Sequence, residues 1–165
     1  MTEEPTLRPY DPGADRESLW KLKRAFETGL GAEGGDEKAA TYESKLTDEY
    51  RREWLAWVDR CVADDERCVT LAVADGEAVG YVFVLPERLA FVWDAAVVNE
   101  LYLDAAYRGS GVAEALLEAA VDLATEQDLP LERLLLDVDP DNERAYAFYE
   151  KLGFEPWGEI VAREL

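Results

Sequence analysis

Histidine is absent from this chain, and cysteine occurs only twice. Without an imidazole there is no Ser-His or Cys-His nucleophile pair, and the commonest metal ligand is missing. Cys61 and Cys68 are too few for a disulfide framework and match no zinc spacing, so no metal site is expected. No run of about 18 apolar residues exists, and residues 1–20 carry five acidic groups and no apolar signal core. A soluble, cytoplasmic protein without a membrane partner is therefore expected. Lysine is scarce as well: 17 basic residues face 37 acidic ones, and the net charge is −20. With no basic stripe, a nucleic-acid partner is not expected.

What is present is enough for one domain over residues 1–165, with 48% hydrophobic residues in short patterned runs. Residues 5–10, with two prolines, suit an edge strand. From Asp15 to about Leu30, apolar Leu19, Leu22, Phe26 and Leu30 recur every three or four residues, which predicts a helix that Gly29 and Gly31 end. Gly31–Thr41 reads as a mobile loop. A second helix over Asp48–Ala63 places Trp54, Leu55, Val58 and Val62 on one face. Cys68–Ala74 and Ala78–Leu85 are strands about an Asp75-Gly76 turn. Residues 91–103 form a long apolar run that predicts a central strand buried on both faces. A helix with Val112, Leu116, Ala119 and Leu123 on one stripe follows, then a strand over Leu131–Val138 and a helix ending at Gly153. Residues 154–165 leave room for one or two short final strands.

The chain is organised around Asn99–Asp104, an apolar run that ends on an acid, and the Arg108-Gly109-Ser110-Gly111-Val112-Ala113 segment after it. A strand thus delivers the backbone to a helix N-terminus, where N–H groups lack partners and the dipole is positive. Gly109 and Gly111 permit positive φ or close approach of a ligand, and Arg108 adds a forked cation. An anion, above all a phosphate, is the natural guest. A P-loop is excluded because Val112-Ala113 stand where Lys-Ser/Thr is needed. A dinucleotide fingerprint is excluded because its last glycine is replaced by Glu114.

What remains, Arg108-x-x-Gly111-x-Ala113, resembles the acyl-CoA pyrophosphate loop of the GNAT (GCN5-related) N-acetyltransferase superfamily, Gln/Arg-x-x-Gly-x-Gly/Ala. Downstream, Asn142-x-x-Ala145-x-x-Phe148-Tyr149-x-x-x-Gly153-Phe154 is similar to the same family's second helix motif, in the family's order. The resemblance covers about residues 97–155. It implies an α/β (α+β) fold, with a mixed, mostly antiparallel sheet flanked by about four helices and a splayed strand pair holding acetyl-CoA. It also implies that Arg108, Gly109, Ser110, Gly111, Val112 and Ala113 hold the pyrophosphate. Leu101, Tyr102 and Leu103 would pair with the pantetheine arm, which Asn142 contacts. Tyr149 would act near the sulfur as general acid. In such folds the first two helices commonly wall the acceptor pocket, so the Trp54 stripe is either core or part of that wall.

Glu100 is the candidate base, acting directly or through water, because a carboxylate inside an apolar run is unusual and costly to bury; the alternative is a surface carboxylate on an exposed strand edge. Strand alternation puts Asn99 on the opposite face, and Asn99 would replace Glu100 if that face holds the acceptor. The expected activity is acetyl transfer from acetyl-CoA to a primary amine of a small molecule, protein or peptide, by a possible homodimer. The alternatives are a non-catalytic acyl-CoA sensor and a nucleotide-binding regulatory module. The evenly spread acidic charge looks like that of salt-in halophile proteins, whose acidic surfaces preserve solubility.

Overall fold

A computed structural model describes residues 4–33 and 35–165 of the chain. Five strands form one sheet in the order β1-β2-β3-β4-β5. These are β1 (Thr6–Pro9), β2 (Val69–Ala74), β3 (Glu77–Val84), β4 (Ala96–Leu103) and β5 (Leu134–Leu136). The first four are antiparallel neighbours, and β5 runs parallel to β4. The helices among the described residues are α1 (Arg16–Glu33), α2 (Asp36–Ser44), α3 (Asp48–Asp64), α4 (Val112–Glu126) and α5 (Glu143–Lys151). No described helix is long and apolar enough to cross a membrane.

Asp75 and Gly76 turn β2 into β3 with φ of 51° and 78°, the doubly positive pair that matches the twist of a tight hairpin. One face of the sheet packs Tyr81, Phe83, Val69 and Leu71 against Leu19, Leu22, Trp54 and Val58 of α1 and α3. The other packs Val79, Val82, Val84 and Val98 against Leu116, Leu117, Ala120 and Leu123 of α4. An Arg8 fork onto Asp15, at 2.6 and 2.8 Å, ties β1 to the start of α1.

Five expectations need correction. Helix α1 runs through Gly29 and Gly31 to Glu33, because an interior glycine costs only about 1 kcal/mol and does not stop a packed helix. The side chains of residues 30–33, Leu30 among them, lie outside the described set, as does residue 34. The expected loop at Gly31–Thr41 is instead the end of α1 and most of α2. Acids Asp36 and Glu37 sit at the positive end of α2, and Ala39 and Ala40 favour its helix. The described α-helices therefore number five.

The central strand begins at Ala96 rather than residue 91. Glu87–Val92 forms a 3₁₀ turn, Asp94 takes φ 59°, and Phe91, Val92 and Trp93 are exposed. β5 keeps only three residues of the expected Leu131–Val138. Residues 154–165 contain no strand, where Pro156 and Gly158 break any ladder.

Candidate functional site

Pairing between β4 and β5 stops at Val98↔Leu136, while β4 continues to Leu103. From Asn99 onward β4 therefore has a partner on one side only. Asp104 N–H donates to Val79 O at 2.8 Å, and hydrogen-bonding direction alternates along an antiparallel strand. The N–H and C=O groups of Leu101 and Leu103 consequently point away from β3, toward the open side. This is the splayed strand pair.

At the end of that edge, a 3₁₀ turn over Ala105–Tyr107 leads to α4. Gly109 and Gly111 take φ of 79° and 88°, and space in front of both is open. Gly111 caps α4 in the left-handed region with no side-chain bond. Among the described residues, no backbone carbonyl accepts from the N–H groups of Gly109, Ser110, Gly111, Val112 or Ala113. Such a row of free donors at a helix N-terminus suits an anion. Arg108 is exposed, with Nε donating to Leu103 O at 3.2 Å, while Ser110 spends its hydroxyl on Tyr107 O.

Helix α5 presents Tyr149. Asn142 caps this helix, its Oδ1 accepting from Ala145 N–H at 3.1 Å, which leaves the amide nitrogen and a second lone pair of Oδ1 for a ligand. At the other end Gly153 takes φ 94°. Phe154 N–H bonds Tyr149 O, Gly153 N–H bonds Glu150 O, and the Phe154 ring packs on Tyr149 at 5.7 Å. This is a Schellman cap with its apolar contact. The Gly-Phe pair thus holds the Tyr149 ring from one side as Phe148 does at 5.4 Å from another. Burial pushes the Tyr149 phenol up to about 12.

Glu100 lies on the other face. At the junction Val84↔Val98 and Phe83↔Glu100, Asn99 is an extra residue, a bulge in β4. It shifts the alternation, so Glu100 and Tyr102 face α1 while Val98, Leu101 and Leu103 face α4 or the open side. Glu100 is 5% exposed. It accepts from Tyr81 OH at 2.6 Å, Lys23 Nζ at 2.8 Å and Asn99 Nδ2 at 3.0 Å. Burial, then the Glu100 carboxylate, drives the Tyr81 phenol well above its ordinary range.

Lys23 and Glu27 were not expected from sequence. Lys23 Nζ donates to both Glu27 and Glu100 and lies 5.0 Å from the centre of the Trp54 ring. Its burial favours the neutral amine, but the two carboxylates outweigh this and raise its pKa. The signal was available: Lys23 sits four residues after Leu19 and three before Phe26, inside the apolar stripe. Lys45, just after α2, places its ammonium 2.9 Å from Glu27 Oε2, and Lys38 of α2 pairs with Asp139 beyond β5.

Residues 32–154 match the family described as Acetyltransferase (GNAT) family. The chain is 30% identical to a mycothiol acetyltransferase of Kocuria rhizophila, with 92% of this chain and 46% of that protein covered. It spans about half the length of the curated relatives it matches. Its fold superposes on the PaiA N-acetyltransferase of Thermoplasma acidophilum in complex with coenzyme A. The TM-score is 0.72 at 20% identity, over 93% of this chain and 91% of that one. The aminoglycoside N-acetyltransferase AAC(6′)-Iy in complex with CoA gives 0.71 at 17% identity, over 100% and 96%.

Proposed function

Because the chain belongs to the acetyltransferase (GNAT) family, we propose that it transfers an acetyl group from acetyl-CoA to a primary amine. The observation that carries this reading is the open edge of β4 running into a row of unpaired N–H donors at the start of α4. An extended arm ending in a pyrophosphate fits both at once.

Acetyl-CoA supplies the acyl group as a thioester. The chain's part is to hold, orient and manage protons. Gly109, Ser110, Gly111, Val112 and Ala113 offer backbone donors to the pyrophosphate, and Arg108 adds charge. Leu101, Tyr102 and Leu103 offer the strand edge to the pantetheine arm, and Asn142 offers its amide. Tyr149 keeps its proton and donates a hydrogen bond to sulfur as negative charge develops there. A phenol near 12 is too weak an acid to give its proton fully to a thiolate whose thiol has a pKa of about 8.5, so its contribution is electrostatic. Glu100 is the base for the acceptor ammonium. A proton reaches its carboxylate when one of its three donors yields, Asn99 among them.

The same reading extends to a salt-rich cytoplasm, supported by the evenly spread acidic charge. It includes a homodimer, for which the exposed Phe91, Val92 and Trp93 offer surface, and neither nucleic acid nor membrane as partner. The test is free-CoA release from acetyl-CoA in molar KCl across polyamines, amino acids, aminoglycosides and N-terminal peptides. Turnover with one class, reduced in Tyr149→Phe, is the expected result. Acetyl-CoA that raises the melting temperature without any turnover would make the chain an acyl-CoA sensor instead.

A further inference from the structure

Beside the Lys23 network lies a second cation position. The Glu27 side chain is 3% exposed, and its Oε2 is enclosed without a hydrogen-bond donor among the described residues. Lys45 Nζ stands 2.9 Å away as an ion pair, off the line of a hydrogen bond, 4.8 Å from the Tyr42 ring and 5.5 Å from the Tyr50 ring. A carboxylate and two aromatic faces around one ammonium form a cage for an alkylammonium. Its occupant is loosely anchored: the Lys45 side chain is 36% exposed and follows a helix with no buried residue.

We propose that Glu27, Tyr42 and Tyr50 form a subsite for a second ammonium of the acceptor, filled by Lys45 until the substrate displaces it. The inference rests on the transferase reading and narrows its acceptor to a diamine or polyamine. Charge balance carries the argument. Lys23 and Lys45 together neutralise Glu27 and Glu100, so removing Lys45 strands a buried carboxylate, which is costly unless another cation arrives. Neutral groups therefore cannot take its place. A single ammonium, that of Lys23, spans the two carboxylates. The subsite thus lies one ion pair from the group assigned to the reacting amine.

Calorimetric titration of 1,4-diaminobutane into the intact chain, at one fixed salt concentration, tests this. Lys45→Met keeps the side-chain length and removes the resident ammonium, so the diamine binds about tenfold more tightly than to the unaltered chain. Adding Glu27→Gln abolishes that gain. Because Glu27→Gln also breaks a buried ion pair, Tyr42→Leu serves as a second variant, and it reduces the gain about threefold. Equal affinity in the unaltered chain and Lys45→Met, or no binding by either, overturns the proposal.

Turnover separates the two readings. With acetyl-CoA as donor, 1,4-diaminobutane is compared with 4-amino-1-butanol, whose hydroxyl replaces the second ammonium. A higher kcat/KM for the diamine is expected. Equal kcat/KM removes the subsite and leaves the transferase. Diamine binding that tightens in Lys45→Met, without transfer, leaves the subsite and removes the transferase.

Discussion

The parts proposed for Tyr149, a hydrogen bond to sulfur, and for Glu100, a base, are separable, and their pH signatures differ. Replacing Tyr149 by Phe lowers kcat about 10²-fold, and no alkaline limb belonging to this phenol is seen below its pKa of about 12. Glu100→Gln flattens the acidic limb of the kcat/KM profile, and an unchanged profile would remove the base role. Buried phenols also act on stability. Tyr10 and Tyr149 are both raised by burial to about 12. A folded-state pKa above the unfolded value means that stability is intact below about pH 10. It then falls as pH rises toward 12, which urea melts across that range will show. At this scale the sequence was a good guide to residues that break a pattern, such as Glu100 in an apolar run. Lys23 breaks the apolar stripe of α1 in the same way and was overlooked, whereas Glu27 looks solvated until its partners Lys23 and Lys45 are known.

Elements were legible where burial leaves a period. Helices α1, α3 and α4 each bury a face, and both family motifs lie on the elements expected of them. Helix α2 has no fully buried residue; it packs along α1 and is tied by the Lys38–Asp139 and Lys45–Glu27 ion pairs, which involve residues 101 and 18 positions away. No local pattern records such contacts. The bulge at Asn99 escaped for a related reason, since an extra residue in a strand is defined only by its partner. β3 sets the position of β4 through Gly80, where a Cβ would fall 2.7 Å from Tyr102 O and 2.9 Å from Leu103 Cδ1. Gly80→Ala must therefore push β4 aside, costing about 1–3 kcal/mol by overpacking. The KM for acetyl-CoA should rise with it, as the open edge moves; a thermal melt and a donor titration together check both effects.

Across the whole molecule, charge outweighs every other surface effect. A net charge of −20 on 165 residues repels itself, and salt shortens the range of that repulsion from about 10 Å at 0.1 M to about 3 Å at 1 M. Exposed ion pairs such as Arg16–Asp59 weaken too, but each is worth at most about 1 kcal/mol. The melting temperature should therefore rise by about 5 °C or more between low salt and molar KCl, and a flat response would refute self-repulsion as a force on this fold. The sheet has a consequence of another kind. Along the far half of β4 one neighbour is missing; on the proposed reading the donor takes that place and completes the ladder when it binds. Amide hydrogens report this directly: those of Leu101 and Leu103 exchange quickly with solvent deuterium in the free chain and slowly once acetyl-CoA is added. The amide of Asp104, already bonded to Val79, exchanges slowly in both states.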